Sequence, residues 1–352
     1  MAATDLLARA AELIAIPSES HHETALAAHV EGQLGRRASG LELTRLGDNL
    51  VARTNAGRQR RIVVGGHLDT VPPDDNATPR IEGDTLFGLG AADMKGGLAV
   101  LLELAERAAE SRFDVTLVFY EGEEVAEEFN GLRRLFAEAP ELVAGDLAIL
   151  LEPTGGWVEA GCQGTLHLRA VFEGDRAHSA RPWMGRNAIH RAAATLARLA
   201  EHEADTVSVD GLSFRESLLA VRIDGGVANN VVPDACSLVV NRRFAPKYSI
   251  DEAREQTEAM LEDADRIEVL GASPGASPNL MNPLVAEFIG TLDLAVRPKL
   301  GWTDVARFAA HGIAALNFGP GDPEIAHTPG EFITREAVEG CHAVLAEFLG
   351  IR

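Results

Sequence analysis

Arg61-Ile-Val-Val-Gly-Gly-His67-Leu-Asp69-Thr70-Val71 reads as a buried β-strand, Ile62 to Val64, that stops at two glycines and then presents polar groups. Side chains alternate along extended chain, so His67 and Asp69 fall on the same side. An imidazole with a carboxylate two residues on suits a metal ligand whose tautomer and basicity are set by an acid behind it. A histidine at a strand end is more often an ordinary hydrogen-bonded residue, and the ends of the other buried strands have to decide.

Two further apolar runs end in the same way. Val115 to Phe119 delivers Tyr120-Glu-Gly-Glu123-Glu124-Val-Ala-Glu-Glu128, and Leu147 to Leu151 delivers Glu152-Pro-Thr-Gly-Gly156. Charge runs are usually solvated faces, but open α/β sheets place their chemistry at the carboxyl ends of buried strands. Between them lies Gly88-Leu-Gly90-Ala-Ala-Asp93-Met-Lys-Gly96-Gly97, ahead of a predicted helix from Leu98 to about Ala109. A phosphate cradle is excluded there, because Asp93 stands where a dinucleotide fold has its third glycine and would repel a phosphate. Asp93 is open to two readings, a ligand or an N-cap.

Working outward, Asp5 to Ala15 and Ser20 to Leu34 have helical patterning, with Ser20 as N-cap and Glu23 three residues on. His21, His22 and His29 on or near the second helix read as solvated. Leu41 to Leu46 and Asn49 to Arg53 read as strands around the Gly47-Asp48 turn, and Val71 to Asp84 as a long loop. From Gly164 the texture changes: Thr165 to Phe172, Leu218 to Ile223 and Cys236 to Phe244 alternate like half-exposed antiparallel strands. Helical stretches, Asn187 to Glu201 and Ile250 to Ala264, separate them. The expected organisation is α/β: a catalytic domain over 1–163 and 274–352, with an inserted α+β domain over 164–273. Ile313 to Phe318 is a last short strand, and a turn-rich loop carrying His327 comes after it.

The chain has 352 residues, 46% of them hydrophobic, which suits one large or two ordinary domains. A formal charge of -21 argues against nucleic acid or an anionic membrane as partner. Met1 to Asp5 lacks the basic start and long apolar run of a signal peptide, and no apolar window of about 18 residues predicts a membrane span. Cys162, Cys236 and Cys341 make neither a disulfide framework nor a cysteine-rich zinc site. The expected location is cytoplasmic.

Collected, His67, Asp69, Asp93, Glu123, Glu124, Glu152 and His327 form a nitrogen and oxygen donor set that suits a pair of Zn²⁺ or similar ions. Two such ions need one bridging carboxylate, and a further carboxylate left free to move protons. A metal-free binding protein on the same scaffold is the competing reading, which loss of a ligand would favour, and none is missing. A serine hydrolase fits less well still, since no Gly-x-Ser-x-Gly elbow is present.

On Gly65-Gly-His-Leu-Asp-Thr-Val-Pro72, Gly88-x-Gly-x-x-Asp-Met-Lys-Gly-Gly97, Glu123-Glu124, Glu152-Pro-Thr154 and His327, the chain resembles the M20 family of metallopeptidases and amidohydrolases over nearly its whole length. The resemblance implies a zinc-exopeptidase-like α/β/α domain with a ferredoxin-like dimerisation lid, two Zn²⁺ per subunit with Co²⁺ as a substitute, and a homodimer. It implies His67 and Glu152 on one metal, Glu124 and His327 on the other, Asp93 as bridge, Asp69 as support for His67 and Glu123 as general base. The family pattern is Asp-Glu-Glu-x-Gly, whereas here Gly122 precedes the pair and Val125 comes after it, which leaves Glu121 as a rival base. His178 matches a lid histidine that stabilises the oxyanion in the partner's site. Asn230 (with Asn229) and Arg243 match lid positions that contact substrate, and Arg181 is a further cation for a substrate carboxylate. The implied substrate is a small N-acyl amino acid. Tyr120 to Val125, Cys162-Gln-Gly164 and Gly301 to Phe308 are most like the actinobacterial succinyl-diaminopimelate desuccinylases, which act in lysine and cell-wall synthesis. Acetylornithine deacetylases, aminoacylases and glutamate-releasing carboxypeptidases share the ligands.

Overall fold

Ile62, Val63 and Val64 are fully buried in the middle of a strand, Arg61–His67, in the computed structural model, which describes residues 5–351. Residues 1–4, on which the expectation about a signal peptide falls, and residue 352 lie outside the described residues. Arg61–His67 pairs in parallel with Asp114–Tyr120 on one side and Leu147–Leu150 on the other, and Ala314–Asn317 pairs in parallel with Leu147–Leu150. These four form the centre of an eight-stranded sheet in the order Glu42–Leu46, Asn49–Arg53, Asp114–Tyr120, Arg61–His67, Leu147–Leu150, Ala314–Asn317, Val158–Cys162, Val296–Lys299. Parallel strands covered on both faces are apolar throughout, which is why Asp114–Tyr120 and Leu147–Leu150 are buried at every position. Each fully buried Val, Leu or Ile side chain contributes about 1.5–3 kcal/mol.

The central strand does not stop at Gly65 and Gly66. It runs on to His67, because Gly66 pairs with Phe119 and His67 with Tyr120. The glycines serve close packing instead: a Cβ on Gly66 would lie 2.5 Å from Met94 Cε and 3.1 Å from Leu98 Cδ2. Gly97 plays the same part at the start of the helix Gly96–Arg107, where a Cβ would lie 2.8 Å from the Leu151 carbonyl oxygen. That helix is therefore seated against the ends of two strands, with Asp93 just ahead of it. Its N-cap is Lys95, so the N-cap reading of Asp93 does not hold.

The first helix is Leu6–Ile14, capped by the Asp5 carboxylate. The second is Thr24–Arg37, and it starts later than expected: Ser20 does not cap it and Glu23 takes the cap position without a side-chain bond. Both side chains are engaged at the strand ends instead, Ser20 with Asp69 and Glu23 with Gly122. The loop after Val71 contains two short strands, Arg80–Glu82 and Thr85–Phe87, which join Phe332–Thr334 in a small sheet. Short three-residue strands have too little alternation to be visible in sequence.

By internal contacts, the chain up to Ala160, Asn279–Arg297 and the chain from Arg307 form one unit; Gly161–Pro278 with Pro298–Ala306 form the other. The second unit thus takes 161–163, 274–278 and Pro298–Ala306, which the sequence reading placed with 1–163 and 274–352. It has a four-stranded antiparallel sheet in the order Ser217–Gly225, Ala235–Phe244, Gly164–Glu173, Arg266–Ser273, with helices Ala188–Glu201 and Ile250–Met260. The order is that of a ferredoxin-like βαββαβ unit. Leu166, Leu168, Ala170 and Phe172 alternate inward against Leu238, Val240 and Phe244. Arg266–Ser273 and the hairpin Thr206–Val209 with Leu212–Arg215 escaped the sequence reading. Among the described residues no helix is long and apolar enough to cross a membrane, and the three cysteines are buried and free.

Candidate metal centre

All four parallel strands deliver their carboxyl ends to one place. Arg61–His67 ends in His67, Asp114–Tyr120 leads to Glu123 and Glu124, Leu147–Leu150 to Glu152, and Ala314–Asn317 to the loop of His327. Three triplets have ligand atoms lying within 4.8 Å of one another: His67, Asp93 and Glu152; Asp93, Glu124 and His327; and His67, Glu123 and Glu124. Asp93 belongs to the first two. Its Oδ1 is 3.0 Å from His67 Nε2 and its Oδ2 3.5 Å from His327 Nε2, while Glu124 Oε1 lies 2.8 Å from His327 Nε2. One imidazole and one carboxylate on either side of a shared carboxylate are a chemically suitable donor set for two borderline-hard divalent ions.

The electrostatics reflect the crowding. Burial works against a charged His67, yet the hydrogen bonds it donates to Asp69 and Asp93 hold its pKa well above the usual imidazole value. His327 is raised to about 10 by its bonds to Asp93 and Glu124. Burial of Asp93 would raise its pKa, but the two imidazoles hold it far below the ordinary carboxylate range. His327 also sits at φ 61°, a left-handed backbone that costs a non-glycine residue about 1–3 kcal/mol and is tolerated where surroundings over-determine it.

Asp69 is the hub behind these ligands. It is 1% exposed, its Oδ1 lies 3.5 Å from His67 Nδ1, and it accepts the backbone N–H of Glu123 and of Glu124, each at 3.0 Å. The Ser20 hydroxyl donates to its Oδ2 at 2.8 Å, and Glu23 Oε1 accepts the N–H of Gly122 at 3.1 Å. Gly122 is required in that turn: its φ is +67° and a Cβ would lie 2.4 Å from the Phe129 carbonyl oxygen. The rival acid Glu121 points elsewhere. It accepts from Asn49 Nδ2 at 2.8 Å and from the Asp48 N–H at 3.1 Å, bracing the Gly47-Asp48 turn.

The Glu152-Pro-Thr run has a separate reason. The Thr154 hydroxyl donates to the Gly319 carbonyl at 3.0 Å and accepts the Gly319 N–H at 3.1 Å, tying the Glu152 turn to the start of the His327 loop. Sequence reasoning missed Ser20, Glu23 and Glu331 as parts of this machinery. Their acid or hydroxyl character was visible, but their burial against distant segments was not.

The other predicted residues belong to the second unit. His178 is exposed, and its Nδ1 accepts the Ala180 N–H at 3.0 Å, which makes Nε2 the proton-bearing nitrogen of the neutral ring. Asn230 and Arg181 adjoin it through backbone bonds, Ser179 N–H to the Asn230 carbonyl at 2.9 Å and Arg181 N–H to the His178 carbonyl at 2.8 Å. Arg243 lies half-buried on Ala235–Phe244; burial lowers its pKa, and no carboxylate among the described residues pairs with it.

Comparison with known proteins shows what the chain is similar to. The profile described as Peptidase family M20/M25/M40 matches residues 63–350. The chain is 48% identical over 341 residues to a Mycobacterium tuberculosis protein named as a putative succinyl-diaminopimelate desuccinylase, covering 97% of this chain and 96% of that one. It is 43% identical over 346 residues to a succinyl-diaminopimelate desuccinylase of Corynebacterium glutamicum, covering 96% and 94%. Among solved structures it is similar in fold to aminopeptidase PepT of Bacillus cereus, with a TM-score of 0.81, 21% identity and coverage of 98% and 97%. It is also similar to a Bacillus subtilis protein described as a dinuclear metal binding peptidase, with a TM-score of 0.73, 16% identity and coverage of 98% and 97%.

Proposed function

The chain belongs to peptidase family M20/M25/M40, and on that premise we propose that it is a two-metal amide hydrolase that cleaves N-succinyl-L,L-2,6-diaminopimelate to succinate and L,L-2,6-diaminopimelate. The single observation that carries the chemistry is the sharing of Asp93 between two ligand triplets. The substrate is supported by relatives at 48% and 43% identity that carry the desuccinylase name. His67 and Glu152 would hold one ion and Glu124 and His327 the other, with Asp93 common to both; nitrogen and oxygen donors favour zinc, with cobalt as a substitute. When bound, the ions polarise the amide carbonyl and acidify the attacking water.

The remaining work falls to side chains. Glu123, adjacent to the ligand Glu124, takes the proton of the attacking water and returns it to the leaving amine. Asp69 orients His67 and, through two backbone N–H bonds, fixes the turn that presents Glu123. His178 offers its Nε2–H to the carbonyl oxygen as negative charge develops there. Arg243, half-buried without a carboxylate partner, is suited to a substrate carboxylate, and Asn230 and Arg181 supply further polar contacts.

A homodimer through the second unit completes the reading. Ser217–Gly225 is an edge strand of its sheet, and Leu219, Val221 and Ile223 on it are exposed. A long apolar edge invites pairing with another copy. Mixing chains of His178→Ala with chains of Glu123→Gln, each inactive alone, is expected to restore part of the activity after subunit exchange. Exchange without recovery would place His178 in its own subunit's site or outside catalysis.

Substrate choice has its own test. A pocket built for the distal succinyl carboxylate leaves buried polar groups unpaired when an acetyl compound binds, and such sites discriminate by about 10⁴-fold or more. Succinyl-L,L-diaminopimelate is therefore expected to exceed N-acetylornithine in kcat/KM by that order. Arg243→Ala should cost the succinyl substrate roughly 10–100-fold, the loss of a charge-assisted hydrogen bond. Preference for N-acetylornithine would remove the desuccinylase assignment and leave the metal amidohydrolase.

A further inference from the structure

Glu331 stands beyond His327 on the same loop, is 1% exposed, and belongs to none of the ligand triplets. Its Oε1 accepts the N–H of Ala92 at 2.8 Å and of Asp93 at 3.0 Å, and its Oε2 accepts the N–H of Gly90 at 2.9 Å. The Glu331 carbonyl also accepts the Gly88 N–H at 3.1 Å. Gly90 turns its N–H toward the carboxylate at φ +76°, where a Cβ would lie 2.9 Å from Thr70 Cγ2. Lys95, also buried, donates from Nζ to the Ile16 carbonyl at 2.9 Å and attracts the Glu331 charge.

These bonds join the two segments that carry Asp93 and His327. A carboxylate gathering three backbone N–H groups makes strong, charge-assisted bonds. It thereby sets the backbone from which the Asp93 side chain projects, and Asp93 is the one ligand both triplets share. We propose that Glu331 is a positioning residue that holds the Asp93 and His327 segments in one register, so that both metal sites form together; this rests on the two-metal reading.

Glu331→Gln keeps the shape but brings an amide N–H₂ against backbone donors, and Glu331→Asp keeps the charge while withdrawing it by one methylene. Both variants are expected to bind both ions about 10–100-fold more weakly, the usual cost of losing a group behind the ligands. The readout is titration of metal-free protein with Zn²⁺ or Co²⁺ in competition with a chromophoric chelator, alongside thermal unfolding. Val338→Ala, a cavity in the next helix, should lower Tm and leave metal affinity unchanged, and His327→Ala should lose one ion only. Wild-type protein taking up two ions while Glu331→Gln matches its affinities overturns this proposal alone. Glu331→Asp failing to fold makes Glu331 a residue of the fold and overturns it as well. Wild-type protein taking up fewer than two ions overturns the two-metal reading, and this inference with it.

Discussion

Glu123→Gln is expected to lower kcat by about 10²–10⁴-fold, the usual contribution of general acid–base catalysis, with metal content unchanged. The amide is nearly isosteric with the acid but cannot accept the water's proton. Its neighbour behaves differently: Glu124 Oε1 is 2.8 Å from His327 Nε2, so Glu124→Ala should reduce metal occupancy. Glu121 is the informative control. Its two oxygens are engaged by Asn49 and by the Asp48 N–H, so Glu121→Gln should weaken the Gly47-Asp48 turn and lower Tm while leaving kcat within a few-fold of wild type. Steady-state rates and metal analysis on the three variants separate the roles. Turnover abolished by Glu121→Gln and kept by Glu123→Gln would show that the base lies two residues earlier.

Asp93→Ala should remove both ions at once, while His67→Ala and His327→Ala should each weaken one site, because Asp93 is the member common to both triplets. Loss of the ions removes several kcal/mol of transition-state stabilisation, on the order of 10³-fold or more in rate. Chelation should do the same to wild-type protein, with zinc or cobalt restoring activity. Filling the sites should also release protons. His327, raised to about 10, carries a proton at pH 7 in the metal-free chain that an ion has to displace, and the acids around His67 shift it in the same direction. Calorimetry in buffers of different ionisation enthalpy measures the number released. Full activity in exhaustively chelated protein would exclude the two-metal mechanism.

Much of this was legible residue by residue. Ile62-Val-Val64, Val115 to Phe119 and Leu147 to Leu151 announce buried parallel strands by composition alone, and the acids and histidines after them fall where such strands end. The alternation of Thr165 to Phe172 against Cys236 to Phe244 showed a different, antiparallel unit. Those signals are local, since a strand's burial is written in its own side chains.

Tertiary structure decided the choices between chemically equal candidates. Glu121 and Glu123 are the same acid two residues apart, and only the approach of Asn49 and Asp48 assigns one to a turn, leaving the other beside His67 and Glu124. Ser20 and Glu23 carried a helix-capping pattern, yet Ser20 bonds Asp69 and Glu23 bonds Gly122, across long stretches of chain. Glu331 looked like one more acid in a turn-rich loop, and its burial against the Asp93 segment depends on contacts more than two hundred residues apart in sequence. Patterning determined which strands exist and which residue types stand at their ends. Which oxygen faces a ligand site and which braces a backbone depends on what distant segments bring to it, because a hydrogen bond is satisfied by proximity and not by sequence order.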